Sequence, residues 1–195
     1  MRIILASTSS IRREILTSAG LSFTVQEPQV DERLLEFTNQ GWTPQQIPIQ
    51  LARHKASSVS AHNRDALVIG ADQTLIFQDQ TVHKPSSIEQ AREQLMAMRG
   101  RAHKLVSAVC CVKDMRTVWN YCNSATLQMR SFSEASLDKY LQTAGKDVMT
   151  SVGGYKIETS AIQLFESIRG DYFTVLGLPL LPLLKALRKQ GALIE

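Results

Sequence analysis

Cysteine is scarce in this 195-residue chain: Cys110 and Cys111 are adjacent and Cys122 stands alone. They make neither a CxxC pair nor an even set of bridges, which argues against a disulfide scaffold and leaves buried, reduced thiols as the expectation. The four histidines, His54, His62, His83 and His103, fall in different elements without a partner at metal-ligand spacing, so no zinc site is expected and they read as surface or site-rim residues. No apolar run is long enough for a membrane span, and the N-terminus enters a strand-like pattern at once rather than a charged-then-apolar leader, so a cytoplasmic protein without a membrane contact is expected. Also missing are the Walker lysine loop, the dinucleotide glycine fingerprint and a GxSxG nucleophile turn. Aromatics make up only 6% and do not interleave with a basic stripe, which disfavours a nucleic-acid-binding module.

What the chain does contain is 44% hydrophobic residues, enough to close a core, and a net charge of +4 that suits an anionic partner without naming one. Residues 2–7 read as a buried strand and residues 9–19 as a helix, joined by a tight turn. A short strand at 23–25 runs into an acidic loop, 27–32. A helix is expected after Thr43-Pro44, with Ile47, Leu51, Lys55 and Val59 at four-residue steps. Residues 66–71 form a continuous apolar run, a strand covered on both faces, ending at Asp72. A hairpin at 75–82 returns to Lys84-Pro85. A helix capped at Ser87 and closed by Gly100, two long strands at 105–112 and 118–128, and a helix at 133–144 follow. A strand near 162–168 and a final helix near 180–190 complete an α/β protein with a mixed central sheet, expected as one domain over 1–195 in two lobes around a cleft.

The chemistry gathers at a few points. "LASTSSIRRE" passes from an apolar strand to four small hydroxyl residues and then to Arg12 and Arg13. Free amides at a helix start, with hydroxyls beside them, can cradle an anion, and a first-turn arginine opposes the helix dipole unless an anion faces it. Plain capping by Ser7 or Ser9 with solvated arginines explains this stretch equally well. Asp72 at a strand end is either a turn former or a site carboxylate. Glu32, Lys55 and Lys84 are each unremarkable alone. Together, hydroxyls and an arginine for oxyanions, two carboxylates for a divalent cation and two lysines for further phosphate charge make an inventory for polyphosphate chemistry.

Seven segments, "LASTSSIRREIL", "VDE" at 30–32, "LARHKA" at 51–56, "GADQTL" at 70–75, "HKP" at 83–85, "VGGYKIE" at 152–158 and "GDYFTVLGLPL" at 170–180, occur in an order that resembles the Maf family of nucleoside triphosphate pyrophosphatases. The resemblance implies a fold like that of the inosine-triphosphate pyrophosphatases. It implies hydrolysis of a nucleoside triphosphate to the monophosphate and pyrophosphate with Mg2+ or Mn2+ as divalent cation, and a homodimer. It assigns Ser7, Ser9 and Arg12 to the phosphates and Glu32, Lys55, Asp72 and Lys84 to catalysis, with Asp72 as proton acceptor and Glu32 and Asp72 toward the metal. The family commonly has Ser-Pro-Arg-Arg where this chain has Ser9-Ser10-Ile11-Arg12, which puts isoleucine at a specificity position. At two other such positions stand Gln73 and Glu158, a pair found in members acting on 7-methyl-GTP, whereas Ile11 fits no pattern. Tyr155 suits either base stacking or core packing, and the apolar stretch 176–184 either core or interface. The family's traditional name refers to septum formation, so a role in cell division through a partner is the alternative function.

Overall fold

A computed structural model describes residues 1–193. Its elements run β1 (Ile3–Ala6), α1 (Ser10–Ser18), β2 (Thr24–Gln26), α2 (Glu32–Thr38), α3 (Ile47–Ser60), β3 (Leu67–Phe77), β4 (Gln80–Val82), α4 (Ile88–Met98), β5 (Ala102–Lys113), β6 (Arg116–Met129), α5 (Glu134–Ala144), β7 (Phe165–Arg169), α6 (Tyr172–Val175) and α7 (Leu180–Lys189), with 3-10 turns between α5 and β7. The sheet is mixed, as the alternation of βα units and hairpins predicts. Its order is β2-β1-β3-β5-β6-β7, with β4 added to β3; β1 pairs parallel with β2 and β3, while β3–β4 and β6–β7 are antiparallel. Among the described residues, no helix is long and apolar enough to cross a membrane.

The described residues divide into two compact units, 1–73, 106–123 and 171–193 forming the first, and 74–105 and 124–170 the second. The core of the first unit joins β1, α3, β3 and β5 through Ile4, Ala6, Ala52, Ala56, Val59, Val68, Ala108, Cys110 and Val112. Small residues let α3 lie directly on β3: a Cβ at Gly70 would stand 2.2 Å from the Ala52 carbonyl oxygen and 2.8 Å from the Ala56 nitrogen. The same contact that packs the core therefore fixes the height of α3 above the sheet. Leu176, Leu178, Leu180 and Leu183 are buried, so most of the apolar 176–184 stretch is core, with Leu181 exposed.

In the second unit α4 and α5 bury Ala91, Leu95, Met98, Leu137 and Leu141. Gly153 has φ 75°, and a Cβ there would meet Leu75 at 2.5 Å, so a side chain is excluded on two grounds. Tyr155 is core: it packs edge-on against Phe165, with ring centroids 4.8 Å apart, and its hydroxyl lies 2.6 Å from His103 Nε2. That answers the choice between stacking and packing for Tyr155 and corrects the surface reading of His103, which is buried, while His54, His62 and His83 are exposed.

Three expectations about elements near the polar residues change. Glu32 opens a helix instead of lying in a loop, because Asp31 accepts from the Leu34 amide and caps it. α3 starts at Ile47, after a turn at residues 44–46, so Pro48 rather than Pro44 is its first-turn proline. Asp72 does not end its strand, since β3 runs eleven residues through it to Phe77 and turns at Gln78 and Asp79, both at positive φ, into β4.

Candidate active site

The turn from β1 to α1 uses both hydroxyls that the sequence singles out. Ser7, buried beneath the turn, accepts from the Ser9 amide at 3.2 Å, and Ser9 caps α1 by accepting from the Arg12 amide at 3.5 Å. Arg12 then sits in a first turn without any acidic residue. Its Nε donates to the Gly177 carbonyl at 2.9 Å, and its Nη1 to the Ala71 carbonyl at 2.8 Å and to Ser7 Oγ at 3.5 Å. Neither of the two protons on Nη2 finds an acceptor among the described residues. Burial lowers the Arg12 pKa, against the pull of Asp72 and Glu32, but a guanidinium keeps its charge. The hydroxyls cap and brace the turn, and the guanidinium is held through Nε and Nη1, with Nη2 uncommitted. Ile11, next to it, is half-buried and offers no polar atom.

Lys55 lies on the buried face of α3 with Leu51, Ala52, Ala56 and Val59. The close approach at Gly70 brings its ammonium over β3, where Nζ is 2.6 Å from Asp72 Oδ1 and 2.9 Å from Glu32 Oε1. Asp72 is 6% exposed and Lys55 7%. Burial pushes the Asp72 carboxyl up from its ordinary value, opposed by Lys55 and then Arg12. The buried Asp72 is paired with the buried Lys55, as a buried charge requires, while Glu32 meets the same ammonium from the exposed side. Among the described residues the buried side-chain polar atoms without a partner are Gln94 Oε1 and His103 Nδ1. Asp72 Oδ2, which also has no partner, therefore reaches solvent.

The donor chemistry suits a hard divalent cation. Glu32 Oε1 and Asp72 Oδ1 converge on the Lys55 ammonium, which leaves their other oxygens for an ion, and no third acidic, histidine or cysteine ligand joins them among the described residues. Two carboxylates with the remaining positions left to water and phosphate oxygens is how a magnesium-type ion is held.

Gln73 follows on β3. Its Nε2 donates to Ser107 Oγ at 2.9 Å, Val175 O at 2.9 Å and Thr174 O at 3.2 Å. Since Ser107 gives its own proton to Thr174 O, all three neighbours act as acceptors, and the amide can be oriented only with its nitrogen inward. Gln73 Oε1 is left outward, reaching solvent by the same reasoning as Asp72 Oδ2. Ser107, Thr174 and the Gly177 carbonyl were not among the residues picked out by the sequence. A signal for one of them was present in "GDYFT", where Asp171 caps α6 by accepting from the Thr174 amide at 2.7 Å.

Ser7, Ser9, Arg12, Glu32, Lys55, Asp72 and Gln73 thus come together within the first unit. Lys84, after β4, and Glu158, in the turn at residues 157–159, belong to the second, where both are exposed and neither makes a hydrogen bond or ion pair among the described residues.

The model of the Maf-like protein family matches residues 2–190. A 7-methyl-GTP pyrophosphatase of Rhizobium meliloti (strain 1021) is 43% identical over 193 residues, 98% of this chain and 97% of the relative. A nucleoside triphosphate pyrophosphatase of Paramagnetospirillum magneticum (strain ATCC 700264 / AMB-1) is 46% identical, covering 98% of this chain and 100% of the relative. Another protein of that name, from Caulobacter vibrioides (strain ATCC 19089 / CIP 103742 / CB 15), is 45% identical, covering 98% and 96%.

Proposed function

The chain belongs to the Maf-like protein family, and from that membership and the buried Lys55–Asp72 pair with the exposed Glu32 beside it we propose that it is a nucleoside triphosphate pyrophosphatase. Water attacks the α-phosphorus, and the products are the nucleoside monophosphate and pyrophosphate. The observation that carries the reading is the placement of Lys55 Nζ within 2.6 Å and 2.9 Å of the two carboxylates, beside an arginine whose Nη2 is uncommitted.

The reaction asks the protein mainly for charge and position, because a polyphosphate repels its nucleophile. Arg12 meets a phosphate oxygen through Nη2 while Gly177 holds its Nε and Ala71 its Nη1. Lys55 fixes Asp72 through Oδ1 and leaves Oδ2 to orient the attacking water and take its proton. In the metal-free protein burial raises the Asp72 pKa, which favours it as a base over an exposed aspartate. Glu32 and Asp72 would hold a divalent cation, Mg2+ or Mn2+, which when bound would further neutralise the phosphate charge.

The finer substrate reading is 7-methyl-GTP, in line with the names of several relatives and with Gln73 and Glu158. Taken singly, Gln73 offers an acceptor oxygen that suits a donor edge of guanine, and the carboxylate of Glu158 is of the type that complements the positive charge of a methylated ring. The test is incubation with Mg2+ and dTTP, UTP, CTP, GTP or 7-methyl-GTP, with resolution of monophosphate, pyrophosphate and orthophosphate. Pyrophosphate release, fastest from 7-methyl-GTP, is expected. Orthophosphate as the sole inorganic product refutes attack at the α-phosphorus, and Glu158→Gln lowering every rate by the same factor removes Glu158 from base reading.

A further inference from the structure

Thr174 and Ser107 are wholly buried polar residues outside the ionic cluster. Asp171 Oδ2 accepts from the Thr174 amide at 2.7 Å and from its hydroxyl at 2.8 Å, and Asn123 Nδ2 donates to that hydroxyl at 3.2 Å. Ser107 Oγ donates to the Thr174 carbonyl at 2.7 Å and accepts from Gln73 Nε2 at 2.9 Å. These bonds tie segment 171–178 to β3 and β5. At its end Gly177, with φ 91°, turns its carbonyl to Arg12 Nε, and a Cβ there would stand 3.4 Å from Arg12 Nη2 and 3.6 Å from Gln73. A single network therefore sets both an acceptor that orients Arg12 and the direction in which Gln73 Oε1 points.

We propose that Ser107 is a positioning residue for both ends of the substrate: its proton holds segment 171–178, and so the carbonyl that aims Arg12, while its lone pair holds the amide of Gln73. Ser107 touches no substrate, and Thr174 backs it through Asp171. The proposal rests on Arg12 as the phosphate grip and Gln73 as an acceptor toward the base. A buried network of this kind acts as a unit, so its members couple when changed together.

The experiment compares wild type, Ser107→Ala and the isosteric Thr174→Val by two measurements. The first is hydrogen exchange of the Arg12 Nε proton by NMR in the ligand-free protein, and the second is the ratio of kcat/KM between the best and second-best nucleotide. In folded Ser107→Ala, exchange about tenfold faster and a ratio reduced about tenfold are expected, with Thr174→Val moving both in the same direction by less. Adding Ser107→Ala to Gln73→Ala should leave the ratio where Gln73→Ala alone puts it. Unchanged Arg12 exchange in both folded variants overturns the proposal, as does a ratio that stays fixed while stability falls, the mark of a merely structural role. If Arg12 exchange responds but wild type releases no pyrophosphate from any nucleotide, the reading of the reaction fails and the hold of Ser107 on Arg12 stands.

Discussion

At Asp72, burial and the Lys55 ammonium act on the same carboxylate in opposite directions, with burial the larger. As the proposed base, Asp72 must be ionised, so kcat/KM should fall as pH drops through its pKa, which burial raises in the free protein. Lys55→Met removes the largest downward pull and should move this acidic limb to still higher pH. A limb that does not move would assign it to another group. Asp72→Asn should abolish turnover, and Arg12→Ala should cost about 2–4 kcal/mol in kcat/KM, as loss of other charge-stabilising donors does. His103 gives a separate test by stability. Burial lowers its pKa from 6.5 to about 4, so the unfolded chain binds the extra proton between those values. Its contribution is complete above pH 6.5 and is lost as pH falls toward 4, roughly 3 kcal/mol in all by the size of the shift. His103→Phe should flatten urea-measured stability across that window. At this scale the charged residues were legible because arginine after a hydroxyl turn or aspartate after an apolar run is chemically conspicuous. Ser107 was not, since its partners Gln73 and Thr174 lie 34 and 67 residues away in the chain.

Among the elements, α3 and β3 do most to build the site, and their contact at Gly70 is the point to test. Gly70→Ala forces a methyl against backbone atoms of α3, which cannot move as a side-chain tip could. The expected cost is ~3 kcal/mol or more in denaturant unfolding, with a loss of activity beyond the loss of folded protein because α3 carries Lys55. Activity per folded molecule equal to wild type would show that α3 tolerates the shift. Long periodic elements were readable: α4 and α5 lie within a few residues of where periodicity and capping serines put them. The elements that escaped were short or atypical. α2 buries none of its residues and so leaves no apolar stripe to read. Asp72 looked like the end of β3, when the strand runs through it to Phe77 and turns Asp72 to Lys55 and Gln73 to Ser107.

For the whole molecule, a net charge of +4 and a polyanionic substrate predict electrostatic steering. Raising ionic strength from about 0.05 to 0.5 M should lower kcat/KM several-fold, chiefly through KM, as screening shortens the reach of the field. A salt-independent kcat/KM would mean that only contacts at the site attract the nucleotide. The class of fold was legible from alternating βα units and hairpins, whereas strand order was not, because pairings such as β1 with β3 depend on residues more than sixty positions apart. The acceptor cage around Gln73 Nε2 bears on how such a protein can change over generations. A glutamate at position 73 would place an oxygen where Thr174 and Val175 already present carbonyls, and a shorter residue would leave Ser107 with an unused lone pair. On the proposed reading of Gln73, base preference would be inherited jointly by positions 73 and 107, and a lineage altering one alone would lose hydrogen bonds until it altered the other.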